Sequence, residues 1–204
     1  MTVAEVTSGR SPDQVLQLLR VTGALLEGHF ILTSGMHSGG YVQCAKILQY
    51  PQHAETLGRW IAESFHGMAV EVVISPAIGG IVIGQEVARA LGVRAIFGER
   101  ESGVMTLRRG FEVAPGERVL VVEDVTTTGG SVRDVIQVAQ EHQGQVVGVG
   151  AILNRSPGQI DLGVPLHTLA LLQLQNYQPE VCPLCQQGSQ AVKPGSRQLP
   201  GGSR

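Results

Sequence analysis

The sequence predicts an α/β fold, a doubly wound and mostly parallel sheet. Three observations carry that expectation. Residues 70–74, 93–97, 118–123 and 146–153 are apolar, β-branched runs too short for helices, and they read as buried parallel strands. Between them, apolar residues recur at helical spacing, the alternation that builds βαβ units. Glycine-rich turns follow two of these runs at their carboxyl ends, the edge where open sheets of this class bind ligands.

Composition narrows the function. Of 204 residues, 43% are apolar and 16% charged, which is a globular balance with enough chain for one core. A net charge of −2 gives no general attraction to nucleic acid or to a membrane surface. No apolar run is long enough to span a bilayer, and residues 1–10 are too polar for a signal core. Three cysteines, Cys44, Cys182 and Cys185, without a secretory signal suggest reduced thiols and a cytoplasmic protein. One domain is expected over residues 1–175, followed by a Gln/Pro/Gly/Ser-rich tail over 176–204.

In chain order, Ser11-Pro12 opens a helix as N-cap and N1, with Val15, Leu18 and Leu19 on one face and Gly23 past its end. Residues 25–32 are extended and lead into a polar loop, Thr33-Ser-Gly-Met-His-Ser-Gly-Gly-Tyr41. Pro51 starts a second helix that buries Leu57, Ile61 and Phe65. The strand at 70–74 runs into Ser75-Pro-Ala-Ile-Gly-Gly-Ile81 and then a helix carrying Val82, Val87, Ala88 and Leu91. That turn suits either a phosphate or close helix–sheet packing. The strand at 93–97 leads to a hairpin bearing Arg100, Arg108 and Arg109.

The chain is organised around Val119-Leu-Val-Val-Glu-Asp-Val-Thr-Thr-Thr-Gly-Gly-Ser-Val132. A buried strand ends in two carboxylates, Glu123 and Asp124, and a helix starts near Ser131. The turn between them lets backbone N–H groups and hydroxyls surround a phosphate at a helix N-terminus. The carboxylates would repel that phosphate, so they suit a ribose diol or a metal ion. No Gly-Lys-Ser/Thr and no Gly-x-Gly-x-x-Gly occurs here, which excludes a Walker loop and a dinucleotide fingerprint. The combination points to a ribose 5-phosphate. Further on, Asn154-Arg155 closes the strand at 146–153 at the ligand edge, residues 165–174 form a last apolar strand, and Cys182-Pro-Leu-Cys185 is half of a zinc knuckle. Cys44 and one of the six histidines are the residues left to complete a four-ligand site.

Glu-Asp-Val-Thr-Thr-Thr-Gly-Gly-Ser resembles the phosphoribosyl pyrophosphate (PRPP) signature of the type I phosphoribosyltransferases. Leu-x-Ser-Gly-x-x-Ser followed by Tyr41, together with Leu-Arg-Arg-Gly-Phe at 107–111, resembles the orotate phosphoribosyltransferases among them. The resemblance covers about 25–155, and Lys193-Pro-Gly-Ser-Arg197 is similar to the end of the same subgroup.

That resemblance implies roles. Glu123, Asp124, Val125, Thr126, Thr127, Thr128, Gly129, Gly130 and Ser131 would hold the ribose and 5′-phosphate of PRPP. Ala77, Ile78 and Gly79 would hold its pyrophosphate, with a strained peptide expected at Ala77–Ile78. A hood formed by about 20–45, and by 165–175, would cover orotate, which Ser34, Gly40, Tyr41, Thr127 and Arg155 would contact. Arg100, Arg108 and Arg109, on a loop at 99–110 that reaches a neighbouring subunit in a homodimer, would neutralise the leaving group, with Asp124 completing the catalytic set. Mg²⁺ would enter mainly with PRPP and reach Glu123 and Asp124 through water. Two lysines common in the family are replaced here, by Thr33 and Gly79; Lys46 is nearby but is not assigned to either role.

The expected activity is transfer of the phosphoribosyl group from PRPP to orotate, giving orotidine 5′-monophosphate and pyrophosphate. A purine-type phosphoribosyltransferase would share the central motif without the Ser34–Tyr41 pattern or Arg155. A non-catalytic PRPP-binding regulator would need a nucleic-acid-binding domain or a basic surface, which neither the length nor the charge supports.

Overall fold

The computed structural model describes residues 11–32, 34–156, 158 and 160–194. Its main sheet has six strands. They are β3 (Val72–Pro76), β4 (Arg94–Glu101), β5 (Val104–Leu107), β6 (Arg118–Thr126), β7 (Gln145–Asn154) and β8 (Leu166–Leu171), in the spatial order β5-β4-β3-β6-β7-β8. All neighbours are parallel except β4 and β5, which form an antiparallel hairpin. The doubly wound α/β fold is therefore as expected. The chain moves outward from β3 to β4 and then returns to the other side of β3 as β6. That reversal places a crevice between the carboxyl ends of β3 and β6.

Both sheet faces are covered. On one, α1 (Pro12–Val21), α2 (Ala45–Leu48), α3 (Pro51–Glu63) and α4 (Gly79–Leu91) enclose Leu19, Ile47, Ile61, Phe65, Ile83 and Ile152. On the other, α5 (Gly130–Glu141) packs Val132, Val135 and Ala139 against Ile74 and Val121, with Met105 of the β4–β5 hairpin. Central strands with both faces buried carry no polar alternation, hence the continuous apolar runs in the sequence. Each fully buried Ile or Leu contributes about 1.5–3 kcal/mol to that core.

The hood is a separate three-stranded antiparallel sheet of β1 (Leu25–Ile31), β2 (His37–Val42) and β9 (Asn176–Tyr177). Two expectations are corrected here. The loop at 33–41 is mostly strand β2, whose alternate residues Ser38, Gly40 and Val42 are buried while Gly39 faces out. The strand expected over 165–175 joins the main sheet as β8, pairing Val149 with Leu166. The hood's last strand comes instead from 176–177, within the expected tail. That tail is also packed further on, through a bridge between Phe30 and Val192. The remainder of it, like residues 1–10 and Thr33, lies outside the described residues.

Helices α3 and α4 approach closely at Gly58. A Cβ there would lie 2.5 Å from Glu86 Cβ and 2.8 Å from its carbonyl carbon. Backbone cannot yield as a side chain tip can, so Gly58→Ala should push α3 off α4. We expect a loss of about 1–3 kcal/mol, read as a melting temperature lower by roughly 3–10 °C.

Candidate active site

The switch point between β3 and β6 holds a cavity of about 450 Å³, whose walls include Tyr41, Cys44, Ile78, Asp124, Thr127 and Arg155. Four separate segments supply these residues, from the hood, the turn after β3, the end of β6 and the end of β7.

Glu123 and Asp124 stand at the end of β6. Glu123 is buried, and burial pushes its carboxyl up to about 9, with the charge of Asp124 beside it adding to the rise. Burial also raises Asp124. Two carboxyls in contact cannot both ionise cheaply away from water. The pair is thus partly protonated at neutral pH and will favour a ligand that offers hydroxyl donors or positive charge. Asp124 also explains Gly79. A Cβ at Gly79 would stand 2.9 Å from Asp124 Oδ2, so the acid and the turn approach closely because this position carries no side chain. Gly80 and Gly84 have a packing role instead, since Cβ atoms there would meet Val122 O at 3.0 Å and Ser75 Oγ at 1.9 Å respectively. The peptide Ala77–Ile78 is cis, at the position singled out from the sequence, and Ala77 N–H donates to Gly98 O.

The turn from 126 to 131 combines fixed and open parts. Thr126 is buried and its hydroxyl donates to Leu153 O at 3.4 Å, so its side chain braces β6 against β7. Thr127, Thr128, Gly130 and Ser131 are exposed. Gly129 caps α5 with φ 77°, and a Cβ on it would strike Ile160 Cγ2 at 2.9 Å. No side chain caps this helix, and the bond from Arg133 N–H to Gly129 O is where its backbone ladder begins. The N–H groups of the first turn therefore remain for an anion. Sequence reasoning missed Arg133, which donates to Thr128 O at 2.7 Å and Asp161 O at 3.1 Å and so holds the turn in shape. Its helical spacing from Ser131 gave no signal that it would reach backward.

Arg155 enters the cavity from the end of β7. Its backbone N–H donates to Thr126 O, which ties β7 to the phosphate turn. Its Nε is buried with no hydrogen-bond partner among the described residues, and burial pulls the guanidinium below the ordinary arginine range. Such a cation is poised for a planar anion. Tyr41 shares the cavity with it. Ser34 and Gly40 do not line the cavity. Ser34 sits in the hairpin turn, and a Cβ on Gly40 would meet Leu174 Cδ2 at 2.9 Å, which makes Gly40 a packing position in the hood. Lys46 points toward Gly23.

The three arginines of the hairpin also stay outside this chain's cavity lining. Arg100 pairs with Asp134 and donates to Gly103 O at 2.8 Å. Arg108 lies 3.5 Å from Glu101. Arg109 makes a two-point contact with Glu99 at 2.7 and 2.9 Å and covers the Phe97 ring, and it holds the Glu99 carboxyl below its usual range. The hairpin itself continues β4 past Gly98, so it rises from the ligand edge of the sheet.

Comparison with known proteins gives the class first. Residues 44–162 match the model of the phosphoribosyl transferase domain, a span from the cavity wall at Cys44 to just beyond Arg155. The fold agrees. The structure of an orotate phosphoribosyltransferase from Aeropyrum pernix superposes with a TM-score of 0.65 at 25% identity, over 78% of this chain and 93% of that one. An orotate phosphoribosyltransferase of Caldanaerobacter subterraneus is 54% identical over 92% of this chain and 98% of its own length. That of Heliobacterium modesticaldum is 56% identical over 92% and 99%. The chain belongs to the orotate phosphoribosyltransferase family.

Proposed function

We infer that the switch-point cavity transfers the 5-phosphoribosyl group of PRPP to orotate, giving orotidine 5′-monophosphate and pyrophosphate in pyrimidine synthesis. The observation that carries the residue assignment is Arg155, a half-buried guanidinium at the cavity wall whose buried Nε has no hydrogen-bond partner among the described residues. The carboxylate of orotate supplies the partner it lacks, and adenine or hypoxanthine would leave it unpaired.

The chemistry needs no covalent nucleophile. Arg155 and Tyr41 fix the base, the N–H groups and hydroxyls of 127–131 fix the 5′-phosphate, and the backbone of 77–79 receives the pyrophosphate. Holding the base nitrogen in line with C1 of the ribose converts a two-body encounter into an internal step. As the bond to pyrophosphate breaks, C1 becomes cation-like, and Glu123 and Asp124 hold the ribose hydroxyls beneath it. Asp124 at the cavity wall, with Glu123 beside it, fits a Mg²⁺ ion carried in with PRPP, which when bound would supply charge neutralisation to the leaving pyrophosphate. Arg100, Arg108 and Arg109 complete that neutralisation in the cleft of a neighbouring subunit, in a cytoplasmic homodimer. Of their carboxylate partners on their own chain, Glu101 is exposed and releases Arg108 at little cost, whereas Asp134 and Glu99 are partly covered and hold Arg100 and Arg109 more firmly.

The test is an assay of the purified protein with PRPP, Mg²⁺ and orotate, following loss of orotate absorbance, with uracil, adenine and hypoxanthine run in parallel. Turnover of orotate alone is expected. Turnover of a purine would discard the assignment of Arg155 and the hood, and PRPP binding without turnover of any base would discard the enzyme.

A further inference from the structure

We propose that His29, His37, Cys182 and Cys185 form a structural zinc site that fastens the C-terminal segment to the hood. One donor atom from each, His29 Nε2, His37 Nδ1 and the two Sγ atoms, lies within 4.8 Å of all the others. The individual contacts are 3.5 Å from Cys182 Sγ and 3.8 Å from Cys185 Sγ to His29 Nε2, 3.3 Å from Cys185 Sγ to His37 Nδ1, and 2.9 Å between the two nitrogens. Zinc bonds of about 2.3 Å to sulfur and about 2.0–2.1 Å to nitrogen give tetrahedron edges of roughly 3.3–3.8 Å. These three sulfur–nitrogen contacts fall on those edges, the two nitrogens need separate by only a few tenths of an ångström, and the remaining pairs lie within 4.8 Å.

Cys44 is no part of this set. Cys44 is buried at the wall of the substrate cavity, and two histidines of the hood hairpin take the remaining places. No short spacing joins His29 and His37 to the cysteine pair. Antiparallel pairing of β1 and β2 sets the rings edge to face, with centroids 4.8 Å apart, and the tail folds back over them.

Three features distinguish this from a chance polar cluster. First, His29 Nδ1 lies 3.0 Å from Ser189 O. A carbonyl only accepts, so Nδ1 carries the hydrogen and Nε2 presents its lone pair to the cluster, the arrangement of a metal-bound histidine with its outer hydrogen bond. Second, a bond between the two imidazoles satisfies the nitrogens alone and gives no reason for both sulfurs to converge on them. Third, the segment bearing the cysteines has almost no core. Neither the 3-10 turn Pro179–Val181 nor α6 (Pro183–Gln186) buries a residue, and Cys182, fully buried between them, is the exception. A segment that small needs a staple other than hydrophobic burial, and a metal bound by four side chains provides one. Two sulfurs and two imidazole nitrogens in one tetrahedron select zinc. In a two-iron cluster the cysteines and histidines would bind different irons, which these sulfur–nitrogen contacts leave no room for.

The site stands on the opposite end of the hairpin from Tyr41, so it steadies the hood without touching the substrate cavity. The experiment measures metal by mass spectrometry in the full chain, purified without a polyhistidine tag. About one zinc per chain is expected, falling below about a tenth in Cys182→Ser and Cys185→Ser while Cys44→Ser keeps its zinc. Cobalt(II) added to chelator-stripped protein should give the visible bands of a tetrahedral thiolate–imidazole site, absent in the variants even where they remain folded by circular dichroism. Metal-free native protein that takes up neither ion would overturn the proposal. So would zinc retained in the Cys182→Ser/Cys185→Ser double variant, iron in place of zinc, or a native mass two hydrogens light from a Cys182–Cys185 disulfide.

Discussion

Changing Arg155 to Ala should lower kcat/KM for orotate by about 10²–10³, while PRPP still binds and the fold persists. Truncating one partner of a buried, hydrogen-bonded charge pair costs about 2–5 kcal/mol, much of it from the partner left alone. Here the abandoned partner is the carboxylate of the substrate, inside a cavity closed by the hood. Stability should move the other way. In the free protein the guanidinium is partly desolvated and its Nε is unpartnered, so removing it relieves a cost. Arg155→Lys should recover little activity, because an ammonium cannot make the planar two-point contact from the same backbone position. Steady-state kinetics with varied orotate, PRPP binding by calorimetry and a melting curve decide the matter. Equal losses of PRPP and orotate binding would mean that Arg155 acts through the phosphate turn, to which its backbone is bonded, instead of through the base.

How much of this was legible beforehand depended on whether the signal was local. The run 119–122, the acids after it and the helix after those are contiguous, and the structure places them as a strand, a buried Glu123 beside an Asp124 that lines the cavity, and α5. Periodicity located α3 with its buried Leu57 and Ile61 for the same reason, and Phe65 is buried just past the helix end. What was missed lies in long-range pairing. Residues 166–171 and 176–177 are both short and uninformative alone, and their division between two sheets follows from which edges β7 and β2 leave open. The glycines of 35–40 resembled a loop, yet Gly40 is there because Leu174 fills the space beside it. Gly79 looked like a loss until its distance to Asp124 was seen. The half knuckle at 182–185 found its other half about 150 residues earlier in the chain, on two histidines that sequence spacing does not connect to it. The arginines at 108 and 109 are the inverse case. Their residue types read as anion binders, but their own chain gives them acidic partners, outside its cavity lining.

The acid pair sets stability against activity, and pH separates the two. An acid whose folded value lies above its ordinary one binds a proton in the native state that the unfolded chain has already lost. The folded protein therefore pays nothing below pH about 4.5, where both states are protonated, and a growing penalty as pH rises toward about 9, the value of Glu123. Glutamine is the neutral isostere of the protonated form. Glu123→Gln should accordingly leave the melting temperature near wild type at pH 5 and raise it at pH 8. Burial of both carboxyls, with one proton shared between them, makes a gain of about 2 kcal/mol reasonable, or roughly 4–8 °C for a chain of this size. Activity should fall meanwhile by about 10–100-fold, since the amide cannot supply the charged acceptor that a ribose hydroxyl or its accompanying cation would use. Asp124→Asn, at the cavity wall itself, should lose at least as much. Melting curves at the two pH values beside kcat/KM for PRPP give the answer. A stabilisation equal at pH 5 and pH 8 would show that Glu123 is not held protonated, and that its burial is matched by hydrogen bonds to the charged form. A gain that grows with pH, paired with a loss of turnover, would show that this fold gives up part of its stability to keep two carboxyls at the end of β6, where we place the ribose.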